Sequence, residues 1–510
     1  MFSKNKNNTN SYSVRPDRAI TSTQGAKIHD PFATERIGQH GPLLLQNANL
    51  IESLAHFNRE RIPERNPHAH GSGAFGVFKV TDDISDICGS EMFDTVGKET
   101  KLLIRFSTVG GEKGSADTAR DPRGFAIKFY TKEGNLDWVY NNTPVFFIRD
   151  PSKFPHFIHT QKRNPQTNLK DANMFWDFLT TEENQVAIHQ VMILFSDRGT
   201  PKSYRNMNGY SGHTYVWTNK KGEWHYVQVH IKTDQGIETL NNEEASKLAG
   251  QSPDYCQQDL FNSIDNKKYP SWTVYVQTMT EKEAADLPFS VFDLTKVWPQ
   301  KQFPLRRIGK ITLNENPTNY FAQVEQAAFS PSNTVPYQQP SADPVLQARL
   351  FAYPDAHRYR LGPNFNQIPV NCPYASQFFN PAIRDGPMNV NGNFGKEPNY
   401  LSTNKKYVFG DKYELNKPEI WSGPAIPYHW KTSPGDIDFQ QATNLYQKVL
   451  SKQPGQQKAL AHNVAVHVAA ACPKIQDRVF AMFSRVDKKL GNDIKEETLN
   501  LAPRSRTSKL

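Results

Sequence analysis

The chain has 510 residues, enough for one large unit or for three or four domains, and enough to bury a core and a cofactor. Hydrophobic residues make up 37% of it, but no apolar run approaches about 18 residues, so we expect no membrane-spanning segment. The 60 basic residues are interspersed with 51 acidic ones, so the net charge of +9 indicates a solvated surface rather than a nucleic-acid partner. Four widely separated cysteines argue against a disulfide framework.

Segments of different composition follow one another along the chain. The first is rich in Asn, Ser and Thr and lacks the apolar stretch of a secretory signal. Next come many runs of β-branched and aromatic residues, then a Pro-, Asn-, Gly- and Tyr-rich stretch, then apolar residues recurring every three or four positions. We predict an N-terminal arm over 1–65 (disordered over 1–27), a strand-rich domain over 66–314, a wrapping segment over 315–435, a helical domain over 436–503 and a tail over 504–510.

Strand-like runs dominate the second segment. They lie at 101–107, 124–130, 224–231 and 272–279, and a helical insertion is predicted at 242–250. Because strands and helices do not alternate strictly, an antiparallel sheet or barrel is favoured over a parallel α/β sheet.

The stretch Gly71-Ser-Gly-Ala-Phe-Gly76 has the spacing of a dinucleotide-binding loop. However, no strand precedes it, and Val77-Phe-Lys-Val-Thr81 has a strand pattern where such a loop requires a helix. We therefore expect these glycines to let the backbone pack closely beside a bulky planar ligand. The nearby pair His68 and His70 is by itself a weak metal motif.

A helix is predicted between Asp343-Pro344 and Gly362-Pro363, which are a good start and a good stop. One face of it carries a phenol among cations: Arg349, Tyr353, His357 and Arg360. Holding a phenolate at pH 7 needs roughly 4 kcal/mol, which a guanidinium one turn away and a ferric ion could supply. Considered alone, this stretch favours an amphipathic helix whose tyrosine packs in a core.

Longer motifs carry a family resemblance. They are Arg59 to Gly76, Arg105-Phe-Ser-Thr-Val109, Gly110 to Gly124, Asn141-Asn-Thr-Pro-Val-Phe-Phe-Ile-Arg-Asp150 and Phe292-Asp-Leu-Thr-Lys-Val-Trp-Pro299. From about Asp30 to about Ala502 the sequence resembles the haem catalases, in particular the small-subunit peroxisomal catalases of yeasts. The resemblance implies an α+β fold: a closed eight-stranded antiparallel β-barrel with helical insertions, a long wrapping segment and a C-terminal helical domain.

The resemblance also implies decomposition of hydrogen peroxide to water and dioxygen on haem b, through a ferryl-haem intermediate. Tyr353 matches the axial ligand of the iron, His68 and Asn141 match the distal pair, and Ser107 would hold the imidazole of His68. Such a pair suits the chemistry, because an imidazole titrating near neutrality can carry a proton from one peroxide oxygen to the other while an amide orients the substrate.

Further residues match the family's cofactor contacts and access route. Arg65, Arg105 and Arg360 match contacts to the haem propionates, which arginine can bind through two hydrogen bonds. Phe154, His213 and Arg349 match residues beside the haem, and Val109 and Asp121 match a narrow channel. The alternative function is a haem peroxidase or lyase acting on organic or lipid hydroperoxides, against which a narrow channel argues.

Some relatives hold NADPH on the surface, and six residues match those contacts: Ser196, Arg198, Asn208, Tyr210, Lys232 and Trp298. Gln300 and Ile193 depart from the pattern, which leaves NADPH binding open. Pro67 departs from it beside the distal histidine.

The remaining implied partners are hydrogen peroxide as substrate and three further copies of the chain in a homotetramer. The C-terminal Ser508-Lys509-Leu510 is a peroxisomal address read by an import receptor, so we expect the protein in the peroxisome matrix.

Overall fold

The computed structural model describes residues 19–376, 378–410, 420–428 and 435–501. The chain divides into two compact units, Met1–Glu64 and Arg65–Leu510. In the first unit, a bridge between Thr21 and Lys27 closes a turn, and helix α1 follows at Ala48–Phe57. The disorder predicted over 1–27 stays a prediction. Residues 1–18 and the predicted tail with Ser508, Lys509 and Leu510 lie outside the described residues.

The second unit is built on one antiparallel sheet. Its strands within the described residues are β1 (Gly71–Val80), β2 (Glu99–Ser107), β3 (Gly124–Thr131), β4 (Gly134–Asn141), β5 (Gly209–Tyr210), β6 (Tyr215–Thr218), β7 (Trp224–Thr233), β8 (Ser271–Met279), β9 (Arg306–Glu315) and β10 (Gln338–Pro340).

Eight of these strands close on themselves. β1 to β5 pair in order, β5 pairs with β7, and β7, β8 and β9 lead back to β1, whereas β6 and β10 extend from β7. The predicted closed eight-stranded antiparallel barrel is therefore confirmed. An eight-stranded barrel is just wide enough for side chains to fill, and here aromatic rings such as Phe106, Phe125 and Trp272 pack against one another inside it.

Helices follow the strands or interrupt them. They are α2 (Phe154–Gln161), α3 (Ala172–Thr180), α4 (Ile188–Phe195), α5 (Asn242–Gln251), α6 (Tyr255–Asp265), α7 (Glu281–Ala285), α8 (Pro344–Leu361), α9 (Asp436–Asn444), α10 (Gln456–Val468), α11 (Pro473–Val486) and α12 (Lys488–Leu501). The predicted insertion is α5, which begins with a capping box between Asn241 and Glu244.

The C-terminal helices pack against the helices that precede the middle of the barrel. Apolar side chains of α2, α3 and α4 share one core with those of α9 to α12. A buried network of charges also holds α9: Lys296 donates to Asp438 on α9 at 2.6 Å, and Arg149 donates to Asp293 at 2.7 Å. The domain boundaries given above stay a prediction.

The glycine-rich stretch is strand rather than loop. β1 begins at Gly71 and continues to Val80, so a strand stands where a dinucleotide-binding loop requires a helix. In the part of the chain that the structure describes, no helix combines the length and the apolarity needed to cross a bilayer.

Candidate active site

The strand register places Ser107 and Asn141 in one row, on either side of Gly124. Ser107 on β2 lies opposite Gly124 on β3, and Gly124 lies opposite Asn141 on β4. Directly opposite residues project to the same face of a sheet. Because the alternate residues Phe106, Phe125 and Tyr140 belong to the barrel core, Ser107 and Asn141 lie on the other face, across the gap that a glycine leaves.

His68 meets this row from the loop before β1. Its Nδ1 lies 2.9 Å from Oγ of Ser107, and its backbone has φ +70°, a strained value for a residue with a Cβ. A Cβ on Gly124 would lie 2.8 Å from Nδ1 of His68 and closer still to Oγ of Ser107. The contact between His68 and Ser107 therefore requires glycine at position 124, which sequence reasoning did not single out.

The imidazole of His68 is neutral at physiological pH. Burial, together with the positive charges of Arg105 and Arg349, lowers the pKa of His68 to about 3. A neutral imidazole held through Nδ1 can accept a proton at Nε2, and its conjugate acid is a strong proton donor.

Helix α8 carries the predicted face. Asp343 caps its start, Gly362 ends it with φ +89°, and Pro354 lies within it. Nη2 of Arg349 donates to Oη of Tyr353 at 2.9 Å and also to the carbonyl of Val139 on β4 at 2.8 Å. Although burial opposes it, the phenol oxygen of Tyr353 helps to raise the pKa of Arg349.

The phenol of Tyr353 and the imidazole of His68 approach the same face of the barrel. Tyr353 packs on an apolar cluster that includes Val139, and Ala126 packs on the same cluster. Ala126 lies two residues from Gly124 on β3, and Val139 lies two residues from Asn141 on β4. Both therefore lie on the barrel face that carries Ser107 and Asn141. His357, one turn after Tyr353, donates from Nε2 to the carbonyl of Phe329 at 2.7 Å.

His213 lies at the start of α8 rather than beside Tyr353. Its Nδ1 is 2.7 Å from Oδ2 of Asp343, and Oδ1 of Asp343 accepts the first N–H groups of the helix. Burial lowers the pKa of His213, although Asp343 opposes the shift. Phe154, the first residue of α2, stacks on Phe146 with ring centroids 6.5 Å apart.

The three predicted arginines form a buried cationic group that fits the two carboxylates of a haem. Arg105 donates to the carbonyls of His68 and Ala69, and Arg65 and Arg360 both donate to the carbonyl of Glu325. Within the described residues, Nη1 of Arg65 and Nε of Arg105 are buried without a hydrogen-bond partner, so they could still bind an anion. Tyrosine is one of the protein ligands of haem iron, and Tyr353 packs on the barrel face that carries Ser107 and Asn141.

The predicted channel residues lie together beside His68. Oδ2 of Asp121 accepts the backbone N–H groups of Val109 and Gly110 at 2.6 and 2.7 Å. The N–H of His68 in turn donates to the carbonyl of Val109 at 3.3 Å. Burial raises the pKa of Asp121. The apolar side chain of Val109 is thereby fixed next to the distal histidine.

The six predicted NADPH contacts are only partly brought together. Asn208 donates to Oη of Tyr210 at 2.8 Å, and burial and the charge of Arg198 lower the pKa of Lys232, which places these two cations near each other. Trp298 is buried in an apolar cluster, and the hydroxyl of Ser196 is buried and donates to the carbonyl of Ile193. Ser196 and Trp298 therefore do not present polar groups to a surface ligand.

Known proteins resemble this chain over most of its length. Residues 21–407 match the family model described as catalase, and residues 433–498 match the one described as catalase-related immune-responsive. The chain belongs to the catalase family. It is 75% identical to peroxisomal catalase A of Saccharomyces cerevisiae (96% of each chain covered) and 67% identical to peroxisomal catalase of Candida albicans (95% of this chain, 99% of the relative).

Solved catalases have the same fold. A fungal catalase superposes with a TM-score of 0.95 at 79% identity, covering 96% of this chain and 98% of its own. Catalase A from Saccharomyces cerevisiae superposes with a TM-score of 0.94 at 75% identity, covering 95% and 100%. This catalase is accordingly an oxidoreductase that decomposes hydrogen peroxide with a haem-iron cofactor, and it is a peroxisomal protein. The alternative, a lyase or peroxidase for organic hydroperoxides, is not favoured by these relatives.

Proposed function

We propose that His68, Asn141 and Tyr353 are the reaction centre of this catalase. Haem b would be held between helix α8 and the barrel face that carries Ser107 and Asn141. The observation that carries the proposal is the pair of contacts at 2.9 Å, one from His68 to Ser107 and one from Arg349 to Tyr353, on one face of the barrel. Arg65, Arg105 and Arg360 would bind the two propionates.

The haem iron, when bound, exchanges the electrons needed to split one peroxide and to oxidise a second. The chain's own residues handle the protons. With Nδ1–H donating to Ser107, Nε2 of His68 keeps its lone pair and takes the proton of one peroxide oxygen, then returns it to the other. The amide N–H of Asn141 would orient the substrate and stabilise the charge that develops.

Tyr353 would supply the phenol oxygen that binds the iron. Arg349 would hold this oxygen in place, because its guanidinium donates to it at 2.9 Å. Val109 and Asp121 would form a neck that admits peroxide and excludes larger molecules, because Asp121 fixes the backbone of Val109 beside His68.

Absorbance spectroscopy and oxygen release test this assignment. Tyr353→Phe should lose or radically alter the Soret band, whereas Tyr359→Phe should keep it, because Tyr359 is an exposed tyrosine on the same helix. His68→Ala should keep haem and release oxygen orders of magnitude more slowly. A native Soret band with full turnover in Tyr353→Phe would contradict the ligand assignment.

We also propose that NADPH binds near Arg198 and Lys232. Two cations close together on one surface suit a phosphate group, and Asn208 and Tyr210 could add polar contacts. Fluorescence of the purified enzyme should report bound NADPH, and replacing both Arg198 and Lys232 by Gln should remove it. Enzyme that carries no NADPH after incubation with it would reject this part of the proposal.

Assembly and import complete the proposal. A homotetramer is supported by large exposed apolar side chains on the wrapping segment, including Val408, Phe409, Ile420, Trp421 and Tyr428. Light scattering should give four times the mass of one chain.

The Ser508-Lys509-Leu510 address should bind the import receptor, and its deletion should leave the enzyme in the cytosol.

A further inference from the structure

One buried carboxylate lies at the centre of the arginine group. Glu325, with 1% of its side chain exposed, ends a π-helical turn at Phe321–Glu325. Its Oε1 is 3.4 Å from Nζ of Lys113 and 3.6 Å from Nη2 of Arg360, and its Oε2 is 4.0 Å from Nη1 of Arg65. Three cations therefore lie within 4.0 Å of one anion, and Glu325 also acts on the charge of Arg105. We call these four residues, Arg65, Arg105, Arg360 and Lys113, the cation clamp.

Backbone carbonyls, rather than this carboxylate, hold the guanidiniums in place. Nη2 of Arg65 donates to the carbonyls of Val324, Glu325 and Ala327 at 2.9, 3.0 and 2.8 Å. Nη2 of Arg360 donates to the carbonyl of Glu325 at 3.2 Å. By contrast, Oε2 of Glu325, which faces Arg65 at 4.0 Å, has no hydrogen-bond partner among the described residues. The carboxylate thus acts on Arg65 mainly through its charge.

Burial makes that charge important. Desolvation lowers the pKa of Arg65 well below its usual range, and the nearby charges of Arg105 and Arg360 lower it further, whereas Glu325 opposes the shift. A cation of the clamp that faces Glu325 is already partly neutralised. It therefore attracts a second anion less strongly than it would without Glu325.

We propose that Glu325 is the built-in counter-ion of the cation clamp and limits how tightly the clamp holds the haem carboxylates. The proposal rests on the haem site proposed above and adds a residue that sets its affinity. Glu325 is a positioning residue in this sense, because it acts on haem through the cations and not by contact. Removing its charge should tighten haem binding, and removing a clamp cation should loosen it.

The rate of haem loss can be measured by transfer from the holoenzyme to excess apomyoglobin, followed at the Soret band. Glu325→Gln keeps the shape and removes the charge, and should slow haem loss about three- to tenfold. Lys113→Met should accelerate it about twofold, since the half-exposed ammonium is partly screened by solvent. Glu325→Asp keeps the charge and should stay near the wild-type rate. Lys132→Met, an exposed lysine outside the clamp, controls for net charge.

Slower haem loss from Glu325→Gln together with faster haem loss from Lys113→Met would support the proposal. Faster haem loss from Glu325→Gln would overturn it, because the carboxylate would then be fixing the arginines, and an unchanged rate would overturn it as well. If Glu325→Gln does not fold, Lys113→Met decides: acceleration supports the proposal and an unchanged rate overturns it. A wild-type enzyme without a Soret band would instead defeat the haem site itself, so the two failures are distinguishable.

Discussion

Asp343 and His213 are joined by a hydrogen bond of 2.7 Å between Oδ2 and Nδ1. The other carboxylate oxygen of Asp343 accepts the N–H groups of Val345 and Leu346 at 2.9 and 3.1 Å, which caps helix α8. The buried side chain of Asp343 therefore holds the first turn of the helix that carries Tyr353. It also holds the imidazole of His213.

Asp343→Ala should lose the cap and leave His213 without this partner, at a cost of about 2–4 kcal/mol of unfolding free energy. Asp343→Asn retains a capping oxygen and should cost less. Circular dichroism during unfolding measures both, and the Soret band reports the effect on Tyr353. An alanine variant as stable as wild type would show that the cap and the hydrogen bond contribute little.

Gly124→Ala should disable the distal side while haem stays bound. The added Cβ would lie 2.8 Å from Nδ1 of His68 and nearer to Oγ of Ser107, so the imidazole must move. We expect oxygen release to fall by about tenfold or more, since a displacement of about 1 Å of a catalytic group is costly. Gly250→Ala on α5, where the new Cβ meets open space, is the control. Full turnover by the Gly124→Ala enzyme would contradict the role given to this row.

Stability should fall as the pH drops below about 6.5. Burial lowers the pKa of several histidines to about 3 or 4: His68, His189, His230, His357 and His467. The unfolded chain binds protons on them near pH 6.5 and the folded chain does not, so each contributes up to about 1.4 kcal/mol per pH unit between the two pKa values.

A single replacement isolates one of these protons. His467 lies on α10, and its Nδ1 accepts from Nε1 of Trp176 on α3 at 2.8 Å. His467→Gln should flatten the dependence of the melting temperature on pH between 6.5 and about 4 by one proton. An unchanged slope would mean that His467 is protonated in the folded enzyme.

Asp438→Ala should loosen the C-terminal helices. It removes the nearer of two carboxylates around the buried ammonium of Lys296, at 2.6 Å against 3.7 Å for Asp293. Breaking a buried ion pair typically costs about 3–5 kcal/mol. Asp436→Ala, an exposed carboxylate on the same helix, should cost much less. Equal melting temperatures for the two variants would show that the buried network does not stabilise the helical part.

Local signals in the sequence determined the elements that hold the site. The Asp-Pro start and Gly-Pro stop predicted α8 with Tyr353 and Arg349 on one face, because capping and helical spacing act over neighbouring residues. The motifs around His68 and Asn141 identified the family for the same reason: each is a continuous stretch of chain. The runs of β-branched and aromatic residues indicated an antiparallel sheet, but they did not determine which strands pair.

Tertiary structure decided what depends on pairing and burial. That Gly124 separates Ser107 from Asn141 follows from the register of three strands, which alternation does not specify. The lowering of the pKa of His68 to about 3 follows from desolvation and from cations that are distant in sequence. Glu325 attracted no attention in the sequence, because its importance arises from cations up to 260 residues away that folding brings around it.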